Sequence, residues 1–166
     1  MAVPTWTPGQ VLTASDVNTW FVPLAAVKTS DTARASTTTL TADPDLTFSV
    51  AANSTYFVEL VLIYTGASGT NFFQWDFNMP ASATYVYSFV YQNSAGTTNV
   101  QQQNGGTSAA WANTTGVGNF QSMEIKGTLT TVGTAGTFAL TWAQHASGAT
   151  NTTLRAGSQM VARRIA

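Results

Sequence analysis

Apolar residues alternate with small polar ones along most of this chain. Tyr56, Val58, Leu60, Leu62 and Tyr64 fall on one side of a period-two pattern, and Phe57, Val61 and Ile63 fall on the other. That periodicity belongs to a β-strand, whose successive side chains point to opposite faces. The same alternation predicts strands over residues 46–50, 73–77, 85–91, 120–130, 138–142 and 158–165. Turn-forming clusters separate them: Asp43-Pro44-Asp45, Ala52-Asn53-Ser54, Gly66-Ala67-Ser68-Gly69 and Met79-Pro80-Ala81, then residues 133–136 and 145–151. Residues 97–112 are softer, and Gln101-Gln102-Gln103-Asn104-Gly105-Gly106 reads as a low-complexity loop or a weak edge. The segment 56–64, apolar on both faces, is expected to be central and covered twice. About eight strands, spaced roughly every 10–15 residues, predict an all-β, antiparallel jelly-roll sandwich. The gaps are too short for the helices of βαβ units, and no internal repeat is visible.

The first thirty residues differ. Pro8-Gly9 is a turn signal, and Thr13-Ala14-Ser15-Asp16 has capping-box spacing, with Asp in place of the usual Glu. Val17, Trp20, Phe21 and Leu24 follow at helical spacing until Pro23 interferes, so a helix of about two turns is expected. So short a helix needs a surface for its apolar stripe. It either packs on its own domain or serves as an arm that docks on a neighbouring chain. Trp6, Trp20 and Phe21 all precede the β region, which favours the arm. The predicted organisation is an anchoring arm over residues 1–30 and a β domain over 31–166. A polar, Thr-rich linker at 28–39 runs into the first edge strand.

Composition narrows the function. Hydrophobic residues make up 44% of the 166 positions, enough for a real core, while charged residues make up only 8%, against about 25% in ordinary domains. Between Leu46 and Met123 only Glu59 and Asp76 are charged. A surface of hydroxyls and amides invites association, which favours an oligomer or a component of a large assembly. The net charge is −1, with no basic stripe, so nucleic-acid binding lacks its electrostatic driving force. No apolar run of the roughly 18 residues needed to span a bilayer occurs. Met1-Ala2-Val3-Pro4-Thr5-Trp6 has no signal-peptide character. Cysteine is absent, which suits folding in a reducing cytoplasm.

Candidate chemistry is sparse. His145 is the only histidine and has no acid beside it in sequence, so it reads as a surface or loop residue before a catalytic one. Glu59 and Asp76 are either a carboxylate pair for glycoside hydrolysis or partners of Lys126, Arg155, Arg163 or Arg164; the ion-pair reading is favoured. Arg163-Arg164 points to opposite faces of a strand and suits a salt bridge or subunit axis better than nucleic acid. Tyr85, Tyr87, Phe89 and Tyr91 form an aromatic row. It is either an inner face or subunit interface, or a platform on which a glycan stacks. Phe72, Phe73, Trp75 and Phe77 carry the same two readings, weighted to core. Asn53-Ser54-Thr55, Asn113-Thr114-Thr115 and Asn151-Thr152-Thr153 match a glycosylation pattern by composition alone. Asp43 and Asp45 are too few for a calcium site. No cofactor or metal is expected.

Both ends of the chain resemble a known group. Trp6-Thr7-Pro8-Gly9-Gln10-Val11-Leu12-Thr13-Ala14-Ser15-Asp16-Val17-Asn18 is similar to a leader on structural proteins of tailed bacteriophages, especially those of actinobacteria. The phrases Ala51-Ala52-Asn53-Ser54-Thr55-Tyr56 and Ile125-Lys126-Gly127-Thr128-Leu129 resemble those proteins as well. So do Gly136-Thr137-Phe138-Ala139-Leu140-Thr141-Trp142-Ala143-Gln144, Ala156-Gly157-Ser158 and Arg163-Arg164-Ile165. Members are minor tail, tail-fibre, head-fibre or capsid decoration proteins. The order of the phrases resembles the jelly-roll heads of tumour necrosis factor and complement C1q, which assemble as trimers. The resemblance implies a non-enzymatic virion protein assembled in the bacterial host cytoplasm. It implies a homotrimer held to a major capsid or tail protein, with a host-surface glycan as a further partner and neither nucleic acid nor membrane. The attachment role passes to Trp6, Leu12, Asp16 and Asn18, and the helical stripe adds Val17, Trp20 and Phe21. The alternative function is a carbohydrate- or receptor-binding module of a phage fibre.

Overall fold

The computed structural model describes residues 4–67, 69, 71–93, 95–106 and 109–166. In chain order the first elements are α1 Ala14–Trp20, β1 Leu24–Val27, β2 Thr32–Arg34, β3 Thr41–Val50, β4 Thr55–Gly66, β5 Phe73–Asn78 and β6 Thr84–Gln92. They are followed by β7 Thr98–Asn104, β8 Ala110–Ala112, β9 Gly116–Thr130, β10 Gly136–Gln144, β11 Thr152–Leu154 and β12 Gln159–Arg164. Every ladder is antiparallel.

The pairing has a simple logic. β3 pairs with β10, β4 with β9, β5 with β8 and β6 with β7. These are the rungs of one long hairpin whose tip is the turn between β6 and β7. Two more ladders, β10 with β5 and β9 with β6, roll that hairpin up. The result is two facing layers, β3-β10-β5-β8 and β4-β9-β6-β7. This is the all-β jelly-roll sandwich. On the β4 side the second layer continues through β12 to β1, while β11 carries β2 alongside the far end of β4.

Alternation places the core between the layers. Tyr56, Val58, Leu60, Leu62 and Tyr64 of β4 are buried, as are Met123, Ile125 and Leu129 of β9. Phe73, Trp75 and Phe77 of β5 meet them from the other layer, with Phe138, Leu140 and Trp142 of β10. Burying each such side chain contributes about 1.5–3 kcal/mol. Gly127 of β9 lies opposite Tyr87. A Cβ there would stand 2.3 Å from the Val86 carbonyl oxygen and 2.6 Å from Tyr87 Cβ, so only glycine lets β6 and β9 approach this closely.

Two expectations need correction, and one open choice is settled. Asp43-Pro44-Asp45 is not a turn between strands. It lies inside β3, where the register against β10 jumps from Ala139↔Thr47 to Thr141↔Ala42. The extra residues bulge out of the ladder, and Pro44, which has no N–H to donate, sits within the bulge. Of the two readings of Gln101-Gln102-Gln103-Asn104, the edge strand is the one found. Nearby Thr107 and Ser108 lie outside the described residues, as do Ser68 of the expected 66–69 loop and Met1 to Val3 of the expected arm. Finally, β4 is central but its own chain covers it once. Phe57 remains 37% exposed, and Val61 and Ile63 are half-buried. This open outer face explains Glu59, which stands on it opposite Lys126 in solvent.

Candidate functional site

The N-terminal arm is organised locally and packs little. The Thr13 hydroxyl accepts from the Asp16 backbone N–H at 3.1 Å, and the Asp16 carboxylate accepts from the Thr13 backbone N–H at 2.9 Å and its hydroxyl at 2.6 Å. This reciprocal cap starts α1 without tertiary help. The hydrogen bond from Thr13 holds the Asp16 carboxyl below its ordinary range. None of the α1 residues is buried. Leu12, Val17 and Phe21 are 42%, 38% and 58% exposed. Trp6 stacks on Phe21 at 6.4 Å, so the arm folds back on itself. Its tie to the sandwich is Trp20, whose ring lies 4.6 Å from the Arg164 guanidinium. Asn18 and Val22 line a crevice of about 230 Å³ that runs between the helix and Ser49, Tyr56 and Ala162.

From Leu24 onward the chain belongs to the sheet, because β1 pairs with β12. Lys28, directly after β1, is the buried charge that sequence reasoning missed. Its ammonium lies 3.0 Å from Asp43 Oδ2 and 3.2 Å from Asp45 Oδ2. The Asp43 carboxylate also accepts from the Trp142 indole N–H at 3.0 Å and from the backbone N–H groups of Asp45 and Leu46. A buried charge pair satisfied by this many donors is a structural clamp. No linear motif announces it, since Lys28 opens a polar stretch and Asp43 sits in a turn-like tripeptide.

The aromatic row resolves to core. Tyr85, Tyr87 and Phe89 are each 1% exposed and Tyr91 is 6% exposed. Phe77 meets Tyr85 edge-on at 4.9 Å, and Trp75 meets Phe89 the same way at 4.9 Å, across the two layers. Such edge-to-face pairs suit the ring quadrupoles. The row therefore faces its own chain and presents neither an interface nor an open platform. Burial drives the Tyr85 hydroxyl far above the ordinary phenol range.

The other candidates do not converge. Glu59 belongs to the larger layer, half-exposed and 3.8 Å from Lys126, which also meets Glu124 at 3.1 Å. Asp76 belongs to the opposite layer, where its Oδ1 accepts from the backbone N–H groups of Phe77 and Gly106 at 2.8 and 2.7 Å. A carboxylate pair about a glycosidic bond is not assembled. Among the described residues no group of three or more His, Cys, Asp or Glu side chains could hold a metal. Nor is any described helix long and apolar enough to cross a membrane. Arg163 points outward, while Arg164 reaches Trp20.

His145 is exposed, as expected, but it is not alone. Its ring lies 5.0 Å from Trp111 and 6.3 Å from Phe72, and Trp111 lies 5.1 Å from Phe72, with all three planes within 23° of one another. Trp111 gave no signal in sequence because β8 is only three residues long.

No protein-family model matches this chain, and no curated protein does. Among solved structures it is similar to a chain from the tripod of the baseplate of bacteriophage Tuc2009. There the identity is 12% and the TM-score 0.37, covering 98% of this chain and 75% of that one. It is also similar to a chain of infectious bursal disease virus, Gt strain, at 12% identity and TM-score 0.20, covering all of this chain and 41% of that one. The Gx strain gives 9% identity and TM-score 0.20, covering 99% of this chain and 45% of that one.

Proposed function

We propose that this chain is a non-enzymatic virion structural protein of a tailed bacteriophage: a jelly-roll knob tied to the head or tail through the residues before Leu24. The observation that carries this reading is the arm, a self-capped helix with no buried residue, bound at its base to a sandwich by the Lys28–Asp43 clamp. A helix this short and this exposed gains its stability from a surface outside its own domain. The phage-like leader, Trp6 to Asn18, occupies the same exposed segment.

The knob assembles as a homotrimer in this reading. Its outer β4 layer offers sister copies a face on which Phe57, Val86, Val90 and Val100, at 37%, 44%, 37% and 69% exposure, are interspersed with polar residues such as Ser88 and Gln102. The charges on that face are Glu59, Lys126 and Glu124, with Arg163 exposed opposite Phe57 and Arg155 over the Phe120 ring. A permanent interface buries more than about 1,600 Å² in total, which a sheet face supplies. Three arms on one trimer then bind the virion by avidity, so each one is weak alone.

Deleting residues 1–22 tests the reading. The truncated protein should remain a folded trimer in light scattering and fail to join particles in an assembly reaction that the full chain completes. A truncated protein that still decorates particles would refute the arm, and a full-length monomer at micromolar concentration would refute the trimer.

A further inference from the structure

We propose that Trp111, Phe72 and His145 form a stacking platform for a neutral sugar at the open edge of the sandwich. The first support is an inverted strand. In β8 the small residues Ala110 and Ala112 point inward at 5% and 0% exposure, while Trp111 points outward at 41%. Core logic would place the largest apolar side chain inside. An exposed tryptophan stacked with two further rings is a ready-made apolar surface, and such a patch marks a binding site.

The second support is what lies beside it. A groove of about 260 Å³ is lined by Trp111, Ala109, Ala110, Tyr91, Gln101 and Gln103. It opens where β7 and β8, the free edges of the two layers, come together. Gln101 and Gln103 stand opposite the buried Phe89 and Tyr87 and line the groove from its inter-layer side, with Trp111 at its outer rim. Gln74 is the cross-strand partner of Trp111. An amide both donates and accepts, as each sugar hydroxyl does. A pyranose has one face of polarised C–H groups, which fits the negative face of an aromatic ring. Among the described residues no carboxylate, lysine or arginine lines the groove, so the matching sugar is uncharged.

Size decides against a protein partner. At about 260 Å³ the groove lies just under the roughly 300 Å³ lower end of small-ligand sites, a size for a single sugar ring. A protein interface would need about 800 Å² on each side. The platform is also held in place, because the His145 backbone N–H donates to the Phe72 carbonyl at 2.8 Å. This site stands apart from the attachment arm, at another part of the fold, and replaces the aromatic row as the place where a glycan is read.

The test uses the full-length protein with glucose, galactose, mannose, N-acetylglucosamine and their β-1,4-linked disaccharides. Two-dimensional NMR follows the tryptophan indole and glutamine amide signals. At least one of these sugars should shift the Trp111 indole together with the Gln101 or Gln103 amides, with millimolar affinity. Trp111→Ala should weaken binding at least about tenfold with the melting temperature nearly unchanged, and Trp111→Phe should restore part of it. Gln101→Ala offers the same readout should the Trp111 variant unfold. Silence from every sugar in the set overturns the proposal. So does binding that moves other signals only, or survives both substitutions.

Discussion

The Lys28 ammonium lies 3.0 Å from Asp43 Oδ2, and neither side chain has any solvent exposure. The pair joins the end of β1, in one layer, to the bulge of β3 in the other. Removing the cation alone strands a buried carboxylate, a loss of about 3–5 kcal/mol. Lys28→Met should lower the unfolding free energy by that amount, read as a lower urea midpoint at an unchanged m-value. A loss below about 1 kcal/mol would show that the clamp is dispensable.

Buried hydroxyls without partners behave in the opposite way. The Tyr85 and Tyr64 hydroxyls are enclosed and have no hydrogen bond, whereas the Tyr56 hydroxyl accepts the Ala51 backbone N–H at 2.9 Å. Tyr85→Phe should therefore leave stability unchanged or raise it, while Tyr56→Phe should cost about 1 kcal/mol. Thermal unfolding of the two variants side by side reads the contrast directly; equal losses would contradict it.

Glycine substitutions separate close approach from free space. A Cβ at Gly127 would collide with the Val86 carbonyl and Tyr87, whereas nothing lies within 4 Å of one at Gly133. Gly127→Ala should destabilise by about 1–3 kcal/mol or more through forced separation of β6 and β9. Gly133→Ala should be close to neutral. A folded Gly127→Ala protein of full stability would mean that the two strands separate at no cost.

The helix cap predicts an acid response confined to the arm. The folded Asp16 carboxyl is held below its ordinary value by Thr13, so its support for α1 is complete above the usual carboxylate range. It is lost as pH falls through Asp16's own lowered pKa. Amide exchange at Thr13 and Asp16 should accelerate over that acidic window while β4 and β9 stay protected. Asp16→Ala should abolish the pH dependence and spare the sandwich's melting temperature.

Much of this architecture is legible because alternation is a local property. Residues 56–64, 85–91 and 138–142 declare both their state and which residues share a face, and Thr13 with Asp16 announces the cap. Alternation is silent on which face meets another layer. The tyrosines of β6 therefore suit a core and an open platform equally well, and only their packing on Phe77 and Trp75 decides between the two. For the same reason Phe57 and Val61 suggest a doubly covered strand where the chain supplies one cover. Lys28 and Trp111 escape for another reason. Their surroundings are built from residues distant in sequence, Asp43 and Trp142 for one and Phe72 and His145 for the other.

The nested pairing of β3 with β10 and β4 with β9 has a consequence for biosynthesis. Residue 41 finds its partner only at residue 142, so the sandwich cannot close while its last quarter is still inside the ribosome. The capped turn at Thr13 and Asp16 emerges much earlier, but a helix of seven residues is marginal until it has a surface to pack on. Its Trp20 meets Arg164 of the last strand, so the first element made and the last one depend on each other, and both wait for the end of synthesis.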